Sequence, residues 1–184
     1  MMNFYISGHF SVNDLPQDWR EHLAQLLGSR PRRIGIWAEL GLYGALRCMA
    51  DAGESTLPPD ALLMLTSRHG TYMPGNAALV QMQEDLPMPL TFLQTQPSQL
   101  LALLAARLDW RGSACFFADA TLPDLLRLAS AQAGDSGVLL GCVDELAGGS
   151  THWLRFRRGV AQSDISHSSQ LLDEASGWGF PGAQ

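Results

Sequence analysis

Three short, uninterrupted apolar runs constrain this chain more than anything else in it: Ala61-Leu62-Leu63-Met64-Leu65-Thr66, Ala114-Cys115-Phe116-Phe117-Ala118 and Gly137-Val138-Leu139-Leu140-Gly141-Cys142-Val143. Each has the length of a strand and no polar alternation, the pattern of a strand covered by helices on both sides of a sheet. Helical segments lie between them. Residues 34–52 carry Ile36, Trp37, Leu40, Tyr43, Leu46 and Met49 at spacings of three and four, which predicts an amphipathic helix ending before Gly53. Residues 76–85 predict a second helix, ended by Pro87 and Pro89, residues 98–108 a strongly apolar third, and residues 123–133 a fourth with Pro123 in its first turn. Residues 153–157, Trp-Leu-Arg-Phe-Arg, alternate as a half-buried strand. Strands and helices in this alternation predict an α/β fold with a mostly parallel sheet.

A chain of 184 residues buries enough surface to fold as one domain without disulfides or a structural metal. Residues 1–160 read as that domain, and residues 161–184, rich in Ser, Gly and Asp, as a poorly ordered tail. The net charge of −6 disfavours a nucleic-acid partner, which needs clustered cations. The one basic cluster, Arg30-Pro31-Arg32-Arg33, falls where a helix should begin and reads as a solvated helix start. Charged residues make up 16% of the chain, below the usual quarter or so, which leaves surface for a protein partner.

Cys48, Cys115 and Cys142 are scattered through apolar segments and read as reduced, buried thiols. No run approaches the ~20 apolar residues of a membrane span. Met1-Met2-Asn3-Phe4-Tyr5-Ile6 lacks the features of a signal peptide, so a cytoplasmic protein without membrane insertion is expected. The five histidines form no ligand pair, and neither a phosphate-cradling glycine loop nor Gly-x-Ser-x-Gly occurs, so no metal or cofactor is expected.

The predicted strand, sharp turn and helix at 114–133 form a junction of the kind on which enzymes mount nucleophiles, because the helix N-terminus offers N–H donors and a favourable dipole. Here the turn reads Ala118-Asp119-Ala120-Thr121-Leu122-Pro123, without cysteine or serine. Asp119 or Thr121 is available as helix cap, the common task of such residues. An acyl-transfer or hydrolytic site built from Thr121 with Asp119 or His69 is the alternative, since His69 ends a predicted central strand, where open α/β sheets place their sites.

The order of motifs resembles the N-terminal half of β-ketoacyl synthases. Asp51-Ala52-Gly53 ends a helix, Leu65-Thr66-Ser67-Arg68-His69-Gly70 follows a strand, and Met88-Pro89-Leu90-Thr91-Phe92 matches a Ser-Pro-x-x-Phe segment. Leu108-Asp109-Trp110-Arg111-Gly112-Ser113 precedes the elbow, and Leu140-Gly141-Cys142-Val143-Asp144-Glu145 closes the series over about residues 30–147. The resemblance implies a thiolase-like half-fold with a mixed, mostly parallel sheet of about five strands. It implies that Thr121 stands, within one residue, where ketosynthases carry their cysteine, and that the histidines and lysine of the second half have no counterpart. Family members of this kind are chain length factors, which pair with a full-length ketosynthase, as in aryl polyene and pigment pathways, and meet the acyl carrier protein only through it. By the same resemblance strand 114–118 pairs across the dimer. Phe92, Gln96, Leu100 and Leu103 then limit the acyl tunnel, Phe116, Phe117 and Asp119 lie at the interface, and the apolar helix 98–108 needs cover from outside the half-fold.

Overall fold

The computed structural model describes residues 4–86, 89–146 and 148–159. In chain order these form β1 (Phe4–Val12), α1 (Trp19–Leu27), α2 (Ile36–Asp51), β2 (Leu62–Ser67), α3 (Tyr72–Gln83), α4 (Pro89–Gln94), α5 (Pro97–Arg107), β3 (Ala114–Ala118), α6 (Leu122–Gln132), β4 (Val138–Asp144) and β5 (Ser150–Arg158). The strands make one mixed sheet in the order β1-β5-β4-β2-β3. β3, β2 and β4 run parallel, as the apolar runs predict, and β5 runs antiparallel to both β4 and β1. Successive side chains of a strand point to opposite faces. Leu63 and Leu65 accordingly join a core with α1, α2 and α5, whereas Leu62 and Met64 join a second core under α6.

The helix over 34–52 is present as α2, but it is not a surface helix with one wet face. Ten of its residues are buried, among them Leu42, Ala45 and Cys48 between the predicted apolar positions. The reason lies in β1 and α1, which the apolar pattern does not single out: β1 extends the sheet on which α2 lies, and α1 packs on the helix as well. Two glycines let neighbours close in. A Cβ at position 41 would lie 2.2 Å from Leu100 Cδ2, and one at position 44 would lie 2.3 Å from Thr151 Oγ1 and 2.4 Å from Trp153 Cδ1. Glycine costs a helix about 1 kcal/mol against alanine, and here tight packing of α5 and β5 offsets it.

Three further expectations change. The run 114–118 is an edge strand rather than a buried one, with Ala114 and Ala118 exposed and the residues between half-buried. Residues 153–157 belong to a strand buried on both faces: β5 lies inside the sheet between β4 and β1, with Trp153 in the core under α2 and Leu154 and Phe156 in the core under α6. Its apparently solvent-facing Arg155 is fully buried, donating from Nε to Glu54 Oε2 at 2.6 Å and from Nη1 to the carbonyls of Ser136 and Phe156 at 2.8 and 2.6 Å. Glu54 also accepts from Arg157, 2.5 Å away, so two arginines share one carboxylate reached across a hundred residues of chain.

The third change concerns α5, which is not the helix left without cover: Leu100 and Leu104 are buried, and α5 packs on α2. The open apolar surface lies instead on α3 and α4, where Met73, Leu79, Met82, Leu90, Phe92 and Leu93 are all exposed. α3 packs chiefly on α4, and α4 on α5, so the pair stands off the sheet as an arm. The tail 161–184 lies outside the described residues.

Candidate functional site

The carboxyl ends of β2, β3 and β4 bring together the side chains that the sequence marks for chemistry. β3 ends at Ala118, and Asp119 turns the chain with φ of 54°, a left-handed conformation that a non-glycine residue adopts only at sharp turns. Its N–H donates to the Ser67 carbonyl at 2.9 Å, which continues the β2–β3 ladder into the turn. Thr66 Oγ1 accepts from the Ala120 N–H at 3.1 Å, so the buried end of β2 holds the turn from below.

Thr121 then caps α6. Its hydroxyl accepts from the Asp124 N–H at 3.3 Å and donates to Asp124 Oδ2 at 2.6 Å. That second bond, with Arg127 adding a weaker attraction, holds the Asp124 carboxyl below the usual carboxylate range. Both hydrogen-bonding roles of the Thr121 oxygen are therefore taken by its own helix.

The other two members of the sequence-predicted catalytic alternative have different partners again. Asp119 lies 3.6 Å from Arg68 in an exposed ion pair, and His69 Nδ1 is 2.6 Å from Asp144 Oδ2 at the end of β4. Among the described residues no hydrogen bond joins Thr121 to His69 or Asp119. Beneath this crown Cys142 is buried; desolvation first, and the nearby Asp144 second, push its thiol up to about 12, so it stays protonated and unreactive. Cys48 is held up in the same way by burial, and Cys115 on β3 is half-buried. Among the described residues no group of His, Cys, Asp and Glu is arranged to hold a metal ion.

The residues named for the tunnel and interface divide by place. Phe92 stands exposed on the arm, at 63%. Gln96, just before α5, donates to Thr95 Oγ1 at 3.0 Å. Leu100 sits in the core on Gly41, away from any surface, while Leu103 is partly buried at the rim of that core. Phe116 packs edge-to-face on Trp37 with ring centroids 6.1 Å apart, and Phe117 points to the opposite face toward α6.

Two residues that appear in the sequence only as the end of a motif prove structurally central. Asp144 holds His69, and Glu145 Oε1 accepts from the Met73 N–H at 2.5 Å at the start of α3. The available signal was an acidic pair closing a fully apolar strand. The arm had a signal too: residues 72–94 contain only two charged side chains, Glu84 and Asp85.

No protein-family model matches the chain, and no curated protein matches its sequence. Solved structures do share its fold. A chain from the complex of a ketosynthase (ApeO) with its chain length factor (ApeC) from Xenorhabdus doucetiae superposes with a TM-score of 0.58 at 16% identity, over 88% of this chain and 81% of that one. This chain has a ketosynthase-type fold. The ishigamide ketosynthase/chain length factor gives a TM-score of 0.62 at 10% identity over 90% of this chain and 60% of that chain. A β-ketoacyl synthase from Burkholderia phymatum gives 0.61 at 13% identity over 93% and 61%. The ketosynthase-type unit described here thus spans about three fifths of the last two chains, whereas the first is nearly its own length. The five-stranded mixed sheet is that of the thiolase-like α/β fold expected from the motif order. Among the described residues no helix is long and apolar enough to cross a membrane.

Proposed function

We propose that this chain is a chain-length-factor-like subunit without acyl chemistry of its own, pairing with a full-length ketosynthase in polyene or fatty-acid-like synthesis. The observation that carries this reading is the elbow. A strand–turn–helix junction of the kind that presents a nucleophile is fully built, with the left-handed turn at Asp119, yet it offers only a carboxylate and a threonine hydroxyl engaged in capping. The alternative of a Thr121, Asp119 and His69 enzyme draws no support from the geometry, since each of the three is bonded elsewhere.

Two surfaces support the pairing. β3 leaves one edge of the sheet open among the described residues, and an open strand edge is a template for a second chain. The α3–α4 arm exposes many large apolar side chains, a concentration of the kind that marks a protein interface. Its lack of Lys and Arg fits the charge-depleted centre of such an interface and not a membrane surface, which selects basic flanks. A chain of similar length within a ketosynthase–chain length factor complex supports a half-length subunit in this role. In this reading Phe92, Gln96 and Leu103 border the partner's acyl tunnel, Phe116, Phe117 and Asp119 lie at the shared edge, and Leu100 supports them from the core.

Co-expression with a full-length ketosynthase from the same genome tests the proposal. A stable heterodimer that condenses malonyl units is expected, and Phe92→Asp should weaken the complex at least about tenfold, as for a central apolar anchor, with the chain's own melting unchanged. Purification of this chain as a folded monomer or a homodimer, beside a ketosynthase equally active alone, would overturn it.

A further inference from the structure

The α3–α4 arm must leave the sheet at a defined angle if it is to seat on a partner, and what fixes its root is visible. α2 and α3 both begin without a side-chain cap of their own: Gly35 precedes α2, and Thr71, which precedes α3, spends its hydroxyl on the Thr95 carbonyl at 2.8 Å. The first N–H groups of any helix lack intrahelical acceptors and carry the positive end of its dipole. Glu145, at the end of β4, reaches the first turns of both. Its Oε1 accepts from Met73 N in α3 at 2.5 Å, and the Trp37 main-chain N–H of α2 faces the same carboxyl. Its other oxygen, Oε2, is buried without a hydrogen-bond partner. Burial chiefly, with Asp144 adding to it, pushes the carboxyl above its usual range, while the two N–H groups oppose the rise. A half-buried carboxylate with one oxygen unsatisfied is unfavourable as plain structure, and here it sits where two helix starts converge.

We propose that Glu145 is a positioning residue: its carboxylate caps α3, faces the start of α2, and so fixes the direction in which the α3–α4 arm projects toward the partner. This rests on the proposed pairing with a ketosynthase for its functional consequence, though not for its structural one. Neighbouring ties serve the same root. His69 is held by Asp144, and Gly70 N donates to Ser67 Oγ at 2.8 Å, so the loop from β2 into α3 is fastened at both ends.

The experiment uses the full chain, alone and in complex with its ketosynthase, carrying Glu145→Ala, Glu145→Asp or Glu145→Gln. Asp keeps the charge but falls a methylene short of Met73, whereas Gln keeps the length and a carbonyl acceptor without the charge. Hydrogen exchange in the isolated chain should accelerate on the order of tenfold at the first amides of α2 and α3 in the Ala and Asp variants, and should remain near wild type in the Gln variant. In the complex the Ala and Asp variants should dissociate faster by a similar factor and broaden the distribution of product lengths, with Gln restoring both. Unchanged exchange at Met73 and Trp37 in the Asp variant overturns the capping role, as does equal loss in all three variants. Changed exchange with an unaltered complex overturns the positioning role. Absence of any complex with the wild-type chain overturns the proposed pairing instead, and leaves the exchange result to decide the cap.

Discussion

Acidification should unfold this chain earlier than its carboxylates alone would require, and the cause is a single ring. His152 lies on β5, fully buried, with Nδ1 2.8 Å from Ser11 Oγ on β1. Burial disfavours the imidazolium and pushes the pKa from 6.5 down to about 4. A histidine whose folded pKa lies below its unfolded one contributes its full stability above pH 6.5 and loses it as the pH falls through the interval down to about 4. Each pH unit of that gap is worth ~1.4 kcal/mol, so roughly 3 kcal/mol is lost across it and roughly 2 kcal/mol by about pH 5. Against a total of about 5–15 kcal/mol for a domain, that is a large share.

The assay is urea unfolding of wild type and His152→Gln between pH 7.5 and 5. Glu145, whose carboxyl is raised by burial, gains stability as the pH falls through the same region, but it does so in both proteins and cancels in the difference. Wild type should therefore lose roughly 2 kcal/mol more than the variant over this span. Parallel profiles, or an imidazole that titrates near its ordinary value by NMR in the folded chain, would refute the reasoning.

Two further outcomes follow from the packing. Thr121→Ala should cost ~1 kcal/mol of stability by chemical denaturation, as for loss of a helix cap, and leave the activity of a ketosynthase complex intact; abolition of acyl transfer would instead restore Thr121 as a nucleophile. Glu54→Ala leaves Arg155 buried without its carboxylate and should lower stability by ~3–5 kcal/mol, whereas a loss under ~1 kcal/mol would mean that the carbonyls of Ser136 and Phe156 alone satisfy the guanidinium.

The parallel part of the sheet was legible because its signal is local. β2, β3 and β4 are continuous apolar runs, α5 and α6 carry their own first-turn prolines and periodicity, and α6 its own cap as well, so each is specified within a dozen residues. What the sequence concealed depends on partners far along the chain. Arg155 and Arg157 give β5 the alternation of a wet strand, and Glu54, a hundred residues earlier, supplies the carboxylate that makes the burial of Arg155 tolerable. β1 carries polar and small residues such as Ser7, Gly8, His9 and Ser11, and acquires strand structure by pairing with β5. At the site the same rule holds. The empty elbow was visible as a turn without cysteine or serine, while the His69–Asp144 and Glu145–Met73 links join residues more than seventy positions apart and leave no periodic trace.

The face opposite α2 and α5 bears on where the proposed partner approaches. In the doubled ketosynthase fold that the sequence resembles, a second half covers one face of the first. Here α6 turns Leu122, Leu125 and Ala129 inward, and its outer side carries Asp124 paired with Arg127, together with Ser130 bonded to the Leu126 carbonyl at 2.8 Å; Leu128 is its one exposed large apolar residue. A partner seated on α6 would have to strip water from that ion pair, a cost that attraction between the two charges often fails to recover. The arm imposes no such cost, because apart from Glu84 and Asp85 it has no charge to desolvate, and burying its exposed Met, Leu and Phe side chains is favourable by ~25 cal/mol for each Å². The same chain thus presents one helical face suited to water and another suited to protein, and the second is the one whose root is tied by Asp144 and Glu145 to the end of the sheet where the elbow stands.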